Sequence, residues 1–366
     1  MTSAERPRIP GQVIRRLPLL LLVFVGLTVW RLNSEPDPEV SPMTTLAGST
    51  MGTTFSIKVG AHLDDKQLAQ MAKAVRSALG TVDDAMSTYR EDSELSAFNQ
   101  QTATDDFPVS EPLRQVLEVA LIVGERSGGA LDITVGPLVA AYGFGPDEPG
   151  TPPDADTLAT LREHVGLDKL KLSEQGLRKQ DGRVQCDLSA IAKGYAVDLV
   201  AKALETEGVT NYLVEVGGEI RTRGHRPDGT AFRVGIEHPD PERRALALRL
   251  PLENRAMATS GDYRNFFLED GQRHSHILDP RTGQPVRHNL ASVTVVHKDT
   301  VWADAWATAL LVLGPDKGPE LAEAQGLAAY FIVRETPEDT RTLETPAFGE
   351  LLAPPKPADS SAKEAP

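Results

Sequence analysis

Two periodicities interleave along this chain without settling into a regular alternation, and that limits the folds open to it. Phe55, Ile57 and Val59 alternate with polar partners, as in a strand with one buried face. Leu68, Met71, Val75, Leu79 and Val82 then recur at helical spacing. A second helix is signalled by Ser110 as its cap, by Pro112 in its first turn, and by Leu113, Val116, Leu117, Ala120 and Leu121 on one face. Tyr212-Val214-Val216, Phe232-Val234-Ile236 and Val293-Val295 return to period two. Phe266 to Leu268 and His274 to Leu278 flank Asp270-Gly271 as the arms of a hairpin. A last helix carries Trp302, Ala305, Trp306, Ala309 and Leu313 on one face. Strands and helices mix without strict βαβ order, so the expected class is α+β, with mixed, largely antiparallel sheets and packed helices.

The ends of the chain differ from this body. Residues 1–16 form a basic segment with Arg6, Arg8, Arg15 and Arg16, and Leu17 to Trp30 carries no charge before Arg31. Those 14 residues span about 21 Å as a helix, short for a bilayer core of about 30 Å and typical of a signal segment. No A-x-A cleavage site follows, which favours an uncleaved anchor. The arginine bias places the N-terminus in the cytoplasm and the rest outside. Residues 31–44 are rich in proline and acid and make a linker, 45–345 form the body, and 346–366 have the composition of a disordered tail. The net charge of -14 argues against nucleic acid or an anionic membrane surface as the main partner. The single cysteine, Cys186, excludes an intrachain disulfide and a cysteine-rich zinc site.

Asp187-Leu-Ser-Ala-Ile-Ala-Lys-Gly194 is the richest candidate for chemistry. Val184 and Cys186 alternate as a strand, and Ala192, Ala196, Leu199, Val200 and Ala203 follow as a helix, so a carboxylate sits at a strand-to-helix corner. Free amides at a helix start attract anions, and Lys193 adds a cation, which suits a phosphate-bearing ligand. A capped connection with no ligand fits the same residues.

Asp304 and Thr308 are four apart, so their oxygens share a helix face and are able to hold a hard cation such as Mg²⁺, given a third group from elsewhere. The alternative is a first-turn Asp at a helix start with Thr308 bonded to a backbone carbonyl. His274 and His276 share a strand face. With His288 and His297 they invite a zinc reading, but no acidic partner stands at a zinc spacing, and a single His as acid or base is the simpler assignment. Ser275 to Gly283 runs from that strand into a tight turn. Gly128-Gly129-Ala130-Leu131-Asp132 places a carboxylate after a glycine pair, and Tyr142-Gly143-Phe144-Gly145 offers aromatic faces for a flat ring.

Taken in order, these pieces resemble the FAD:protein FMN transferase, or ApbE-like, family. The matching segments are Met51 to Phe55, Ser87-Thr88-Tyr89, Gly129 to Asp132, Asp187 to Gly194, Glu215-Val216-Gly217-Gly218, Ser275 to Gly283 and Ala303 to Leu313, within Thr45 to Val333. The resemblance implies that FAD is contacted by Met51, Tyr89, Ala130, Leu131, Asp132, Asp187, Lys193 and the strand around His276 and Ile277. It also implies Mg²⁺ held by the Ala190 carbonyl with Asp304 and Thr308, a ligand that no side chain announces. The implied reaction moves FMN from FAD to a Thr or Ser hydroxyl of another protein and releases AMP, with His276 as candidate for the hydroxyl proton. Implied acceptors are subunits of membrane redox complexes, and the implied location is the bacterial inner membrane, catalytic body in the periplasm. The chain departs from the family in having no lipid-bearing cysteine and in placing Tyr142 where relatives often carry tryptophan. Two other functions stay open at this point: an Mg-dependent FAD pyrophosphatase giving FMN and AMP, and a periplasmic flavin-binding protein without turnover.

Overall fold

Leu-Ala-Ser-Val-Thr-Val-Val at 290–296 is buried at every position, and such a strand belongs at the centre of a sheet covered on both faces. The computed structural model places it there. It describes residues 43–145, 152–239, 245–262, 266–269, 272–336 and 339–353. The 17–30 segment and nearly all of the linker lie outside these residues. Among the described residues no helix is long and apolar enough to cross a membrane.

One eight-stranded sheet organises the chain from residue 43 onward. Its strands are β1 (Thr44–Thr50), β2 (Thr53–Val59), β3 (Tyr212–Val216), β4 (Glu219–Arg223), β5 (Ala256–Gly261), β6 (Leu290–His297), β7 (Ala328–Arg334) and β8 (Thr340–Glu344). Spatial order equals chain order, and every pairing is antiparallel. The expected α+β class holds. Its helices arrive as insertions in this meander. Between β2 and β3 come α1 (Asp65–Met86), α2 (Glu94–Gln100), α3 (Glu111–Arg126), α4 (Gly136–Ala141), α5 (Ala155–Arg162) and α6 (Ala192–Thr206). Between β6 and β7 comes α7 (Thr300–Ala324), and α8 (Pro346–Leu352) follows β8.

Local signals explain several of these boundaries. Asp64 and Gln67 bond each other's backbone in a capping box that starts α1, and Ser110 caps α3 with Pro112 in its first turn. One face of the sheet, with Ile57, Val214, Val295 and Phe331, packs against α1, α3, α6 and α7. The other face, with Met257, Val296 and Ile332, is covered by α8 and by the hairpin of Phe232–Glu237 with Leu246–Leu252.

Three expectations need correcting. No strand runs through Val184 and Cys186: Gln185 makes one isolated bridge to Val135, the Val184 N–H turns back to the Asp181 carbonyl, and side chains take the remaining bonds of Val184 and Cys186. Asn99 accepts from the Cys186 N–H at 2.7 Å and donates to its carbonyl at 2.8 Å, while Lys179 Nζ donates to the Val184 carbonyl. Alternating burial here reflects side chains standing in for a neighbouring strand. Next, the hairpin arm ends at Ser275, where its pairing with Phe266 stops; His276 and Ile277 lie past it, and Leu278–Asp279 starts a separate pairing with Gln284–Pro285. The Asp270-Gly271 turn and the His274 side chain lie outside what is described. Last, the segment from Pro346 opens as a helix, not a tail, because Phe348 is fully buried against Tyr330.

Candidate functional site

A cavity of about 650 Å³ opens where the helical insertions meet the sheet, within the range of about 300–1,000 Å³ usual for small-molecule sites. Its wall draws on segments far apart in sequence. Thr53 and Thr54 come from β2, and Ala130, Leu131 and Asp132 from the loop after α3. Asp187, Ser189 and Ala190 come from the approach to α6 and Lys193 from its first turn; Glu215 comes from β3, and Gly217, Gly218 and Glu219 from the β3–β4 turn and the start of β4. Phe144, Ser260, His276 to Leu278, Asp304 and Thr308 also line it. Ten of the expected site residues thus meet: Ala130, Leu131, Asp132, Asp187, Ala190, Lys193, His276, Ile277, Asp304 and Thr308.

Met51 and Tyr89 do not line it. Met51 and Gly52 form the two-residue turn between β1 and β2, both at positive φ (48° and 70°), as that turn geometry requires. A methionine there occupies the left-handed region that side chains seldom adopt, and the turn leads directly into Thr53 and Thr54 of the wall. Tyr89 is 68% exposed, and its hydroxyl donates to the carbonyl of Phe144, which does line the cavity. The aromatic facing the ligand space is therefore Phe144, edge-on to His276 with ring centroids 6.3 Å apart. Tyr142 does not line the cavity; it packs behind it with Leu138, Leu158 and the wall residue Leu278.

The start of α6 is not a free anion cradle. Asp304 Oδ2 accepts the Gly194 N–H at 2.8 Å, Asp187 accepts the Ser189 N–H, and Lys193 Nζ donates to Glu219 Oε1 at 2.7 Å. The Asp304 carboxyl occupies what would otherwise be an anion's place. Thr308 bonds the Ser260 hydroxyl at 3.0 Å and not a backbone carbonyl.

Charge in this corner is unbalanced toward the negative. Burial, above all, pushes the Asp304 carboxyl up to about 7; Lys193 draws it down and Glu219 pushes it further up. Glu219 is raised by its own burial, with Lys193 opposing. Burial works against the charge on Lys193, yet Asp304 and Glu219 together outweigh it and hold the ammonium above the usual lysine range. The Lys193 side chain stays 31% exposed and within reach of a ligand. Asp132, whose pKa burial also raises, accepts from both the backbone and hydroxyl of Thr134. Oxygen donors and excess negative charge are the setting that a hard cation such as Mg²⁺ fits.

The histidines disperse. His297 accepts the Asp299 N–H and packs on Trp302, and His288 packs against Gly314 at the kink of α7. Neither lines the cavity with His276, and no metal-binding set of His, Cys, Asp or Glu assembles among the described residues.

Glu219, Ser260 and Asp198 have no place among the expected site residues, and Ser260, on β5, carried no motif. Glu219 follows the Glu215-Val216-Gly217-Gly218 segment directly; its signal was an acid right after a Gly-Gly pair, and the structure buries it there. Asp198, one turn beyond Gly194, gave no signal.

Comparison with known proteins places this arrangement in context. Residues 51–331 match the model of the ApbE family. The chain is 39% identical over 324 residues to the FAD:protein FMN transferase of Klebsiella pneumoniae (strain 342), covering 87% of this chain and 92% of that protein. It is similar in structure to the flavin transferase ApbE from Vibrio cholerae, with TM-score 0.78, 39% identity, and coverage of 85% and 99%. The flavinyl transferase ApbE of Pseudomonas stutzeri gives TM-score 0.77, 40% identity, and coverage of 85% and 96%.

Proposed function

The chain belongs to the ApbE family, and we infer from that membership that it is an FAD:protein FMN transferase, moving FMN from FAD onto a Thr or Ser hydroxyl of an acceptor protein. The observation that carries this reading to the residues is one cavity lined by Ala130 to Asp132, Lys193, His276, Asp304 and Thr308.

We propose the following division of labour. The acceptor oxygen attacks the phosphorus on the FMN side of the pyrophosphate. That P–O bond to the bridging oxygen breaks, AMP departs with the bridge, and the hydroxyl proton passes to His276. Lys193 attracts the pyrophosphate, and Ala130 to Asp132 with Phe144 seat the nucleotide. Asp304, Thr308 and the Ala190 carbonyl would hold Mg²⁺, which supplies neutralisation of pyrophosphate charge when bound. Catalysis in such a site is mostly alignment and electrostatics. The Leu17 to Trp30 segment, following four arginines, supports an inner-membrane anchor with the body in the periplasm and acceptors among membrane redox subunits.

The test incubates the protein with FAD, Mg²⁺ and a Thr-bearing acceptor. Covalent flavin on the acceptor with release of AMP is expected, abolished by EDTA and restored by Mg²⁺. Free FMN and AMP with no labelled acceptor would make it a pyrophosphatase, and unchanged FAD a binding protein. Full transfer by His276→Ala would remove that residue from the proton step.

A further inference from the structure

Neither helix framing the proposed cation site supplies its own N-cap. Ile191 precedes α6 and Asp299 precedes α7, both without a side-chain bond to the first turn, so each helix start leaves amide donors to be satisfied from outside. The partner helix closes both. Asp198 of α6 takes the first amides of α7: Oδ1 accepts from the Thr300 N–H at 3.0 Å and the Thr300 hydroxyl at 2.8 Å, and Oδ2 from the Val301 N–H at 2.9 Å. In return, Asp304 of α7 takes the Gly194 N–H of α6.

Gly194 and Asp198 are one turn apart on α6, as Thr300 and Asp304 are on α7, so the four positions close a frame between helices running in opposite directions. Gly194 permits the approach, since a Cβ there would stand 2.6 Å from the Thr300 carbonyl oxygen and 2.7 Å from Asp304 Cβ. Arg221 of β4 pairs with Asp198 and, at 3.2 Å, with Asp299, which ties the frame to the sheet. A carboxylate at a helix start is also favoured by the helix dipole.

We propose that Asp198 is a positioning residue for the cation and pyrophosphate site. It does not line the cavity; it fixes where α7 begins, and so the depth at which Asp304 enters one turn later. The proposal rests on the cation reading of Asp304 given above. Groups that orient a metal ligand from behind typically govern about 10- to 100-fold of metal affinity, and Asp198 acts through the helix start in that way.

The test titrates Mn²⁺ into the full-length protein with FAD present, following free Mn²⁺ by its EPR signal, and records melting temperature alongside. Asp198→Ala is expected to weaken Mn²⁺ binding about tenfold or more. Asp198→Asn keeps an oxygen for the amides but loses the ion pair, and is expected to fall between; it carries the test if the alanine variant does not fold. Phe348→Ala, remote from the cavity, is the control for destabilisation alone and is expected to melt earlier while binding Mn²⁺ as the wild type does. Wild-type affinity in the Asp198 variants that fold, or the same loss in Phe348→Ala, would overturn the positioning role. A wild-type protein that binds no Mn²⁺ would overturn the cation reading, and this inference with it.

Discussion

Asp304 serves two ends that pull against each other. It caps α6 through Gly194 and faces the cavity, yet it is only 3% exposed, so ionising it without a cation is unfavourable. Its folded pKa of about 7 lies above the ordinary 3.8, which means the folded state holds the proton more tightly. That contribution to stability is complete below about pH 4 and is lost as pH rises through 7. Asp304→Asn keeps an oxygen for the Gly194 amide and removes the charge. In EDTA at pH 8 its melting temperature is expected to equal or exceed that of the wild type, with the advantage gone at pH 4. Flavin transfer with Mg²⁺ should fall by at least ~100-fold, the scale of losing a preorganised electrostatic group. A melting temperature below wild type at pH 8, with transfer intact, would make Asp304 a cap and nothing more. The pairing of Asp304 with Thr308 was legible because four-residue spacing fixes a helix face. Ala190 was legible only through family resemblance, since a carbonyl carries no residue-type signal, and Asp198 not at all, because its partners lie 102 and 103 residues away in sequence.

At the scale of elements, the segment carrying Asp187 shows why alternation misled. Val184 and Cys186 are fully buried on either side of exposed Gln185, the pattern of a strand, but the Cys186 amide and carbonyl bond to Asn99 of α2, the Val184 carbonyl to Lys179, and the Val184 N–H to the Asp181 carbonyl. That lysine is itself fully buried, donating to the carbonyls of Phe98, Asn99 and Val184. Period two reports which side chains face inward, and says nothing of what satisfies the backbone between them. This gives a prediction for the loop as a unit. Asn99→Ala leaves the Cys186 amide and carbonyl without partners, a cost of about 1–3 kcal/mol. It should also loosen the approach to Asp187, raising the dissociation constant for FAD about tenfold in a flavin-fluorescence titration and speeding hydrogen exchange at the Cys186 amide. Unchanged FAD affinity would show that Asp187 is held by its own turn at Ser189.

For the molecule as a whole, the class was readable and the sheet order was not. Alternating stretches identified β2, β3 and β6, but pairing joins Val59 to Tyr212 across all of α1 to α6, a separation that local pattern does not encode. The C-terminal limit was misplaced for a related reason. Pro346 to Pro366 is poor in large apolar residues, yet one of them, Phe348, inserts against Tyr330 with ring centroids 5.3 Å apart. Thr345 prepares the entry: its hydroxyl donates to the Leu327 carbonyl and accepts the Phe348 N–H, fixing α8 to the sheet as it starts. Composition averages over a segment, whereas one buried aromatic is enough to dock it. Two truncations separate these descriptions. A chain ending at Thr345, the boundary composition suggests, loses the burial of Phe348, worth about 3–5 kcal/mol by the usual cost of removing a core phenylalanine. At ~2–4 °C per kcal/mol it should melt roughly 10 °C lower by calorimetry. A chain ending at Ala353 retains α8 and should melt with the wild type; equal melting of both truncations would return the boundary of the body to Thr345.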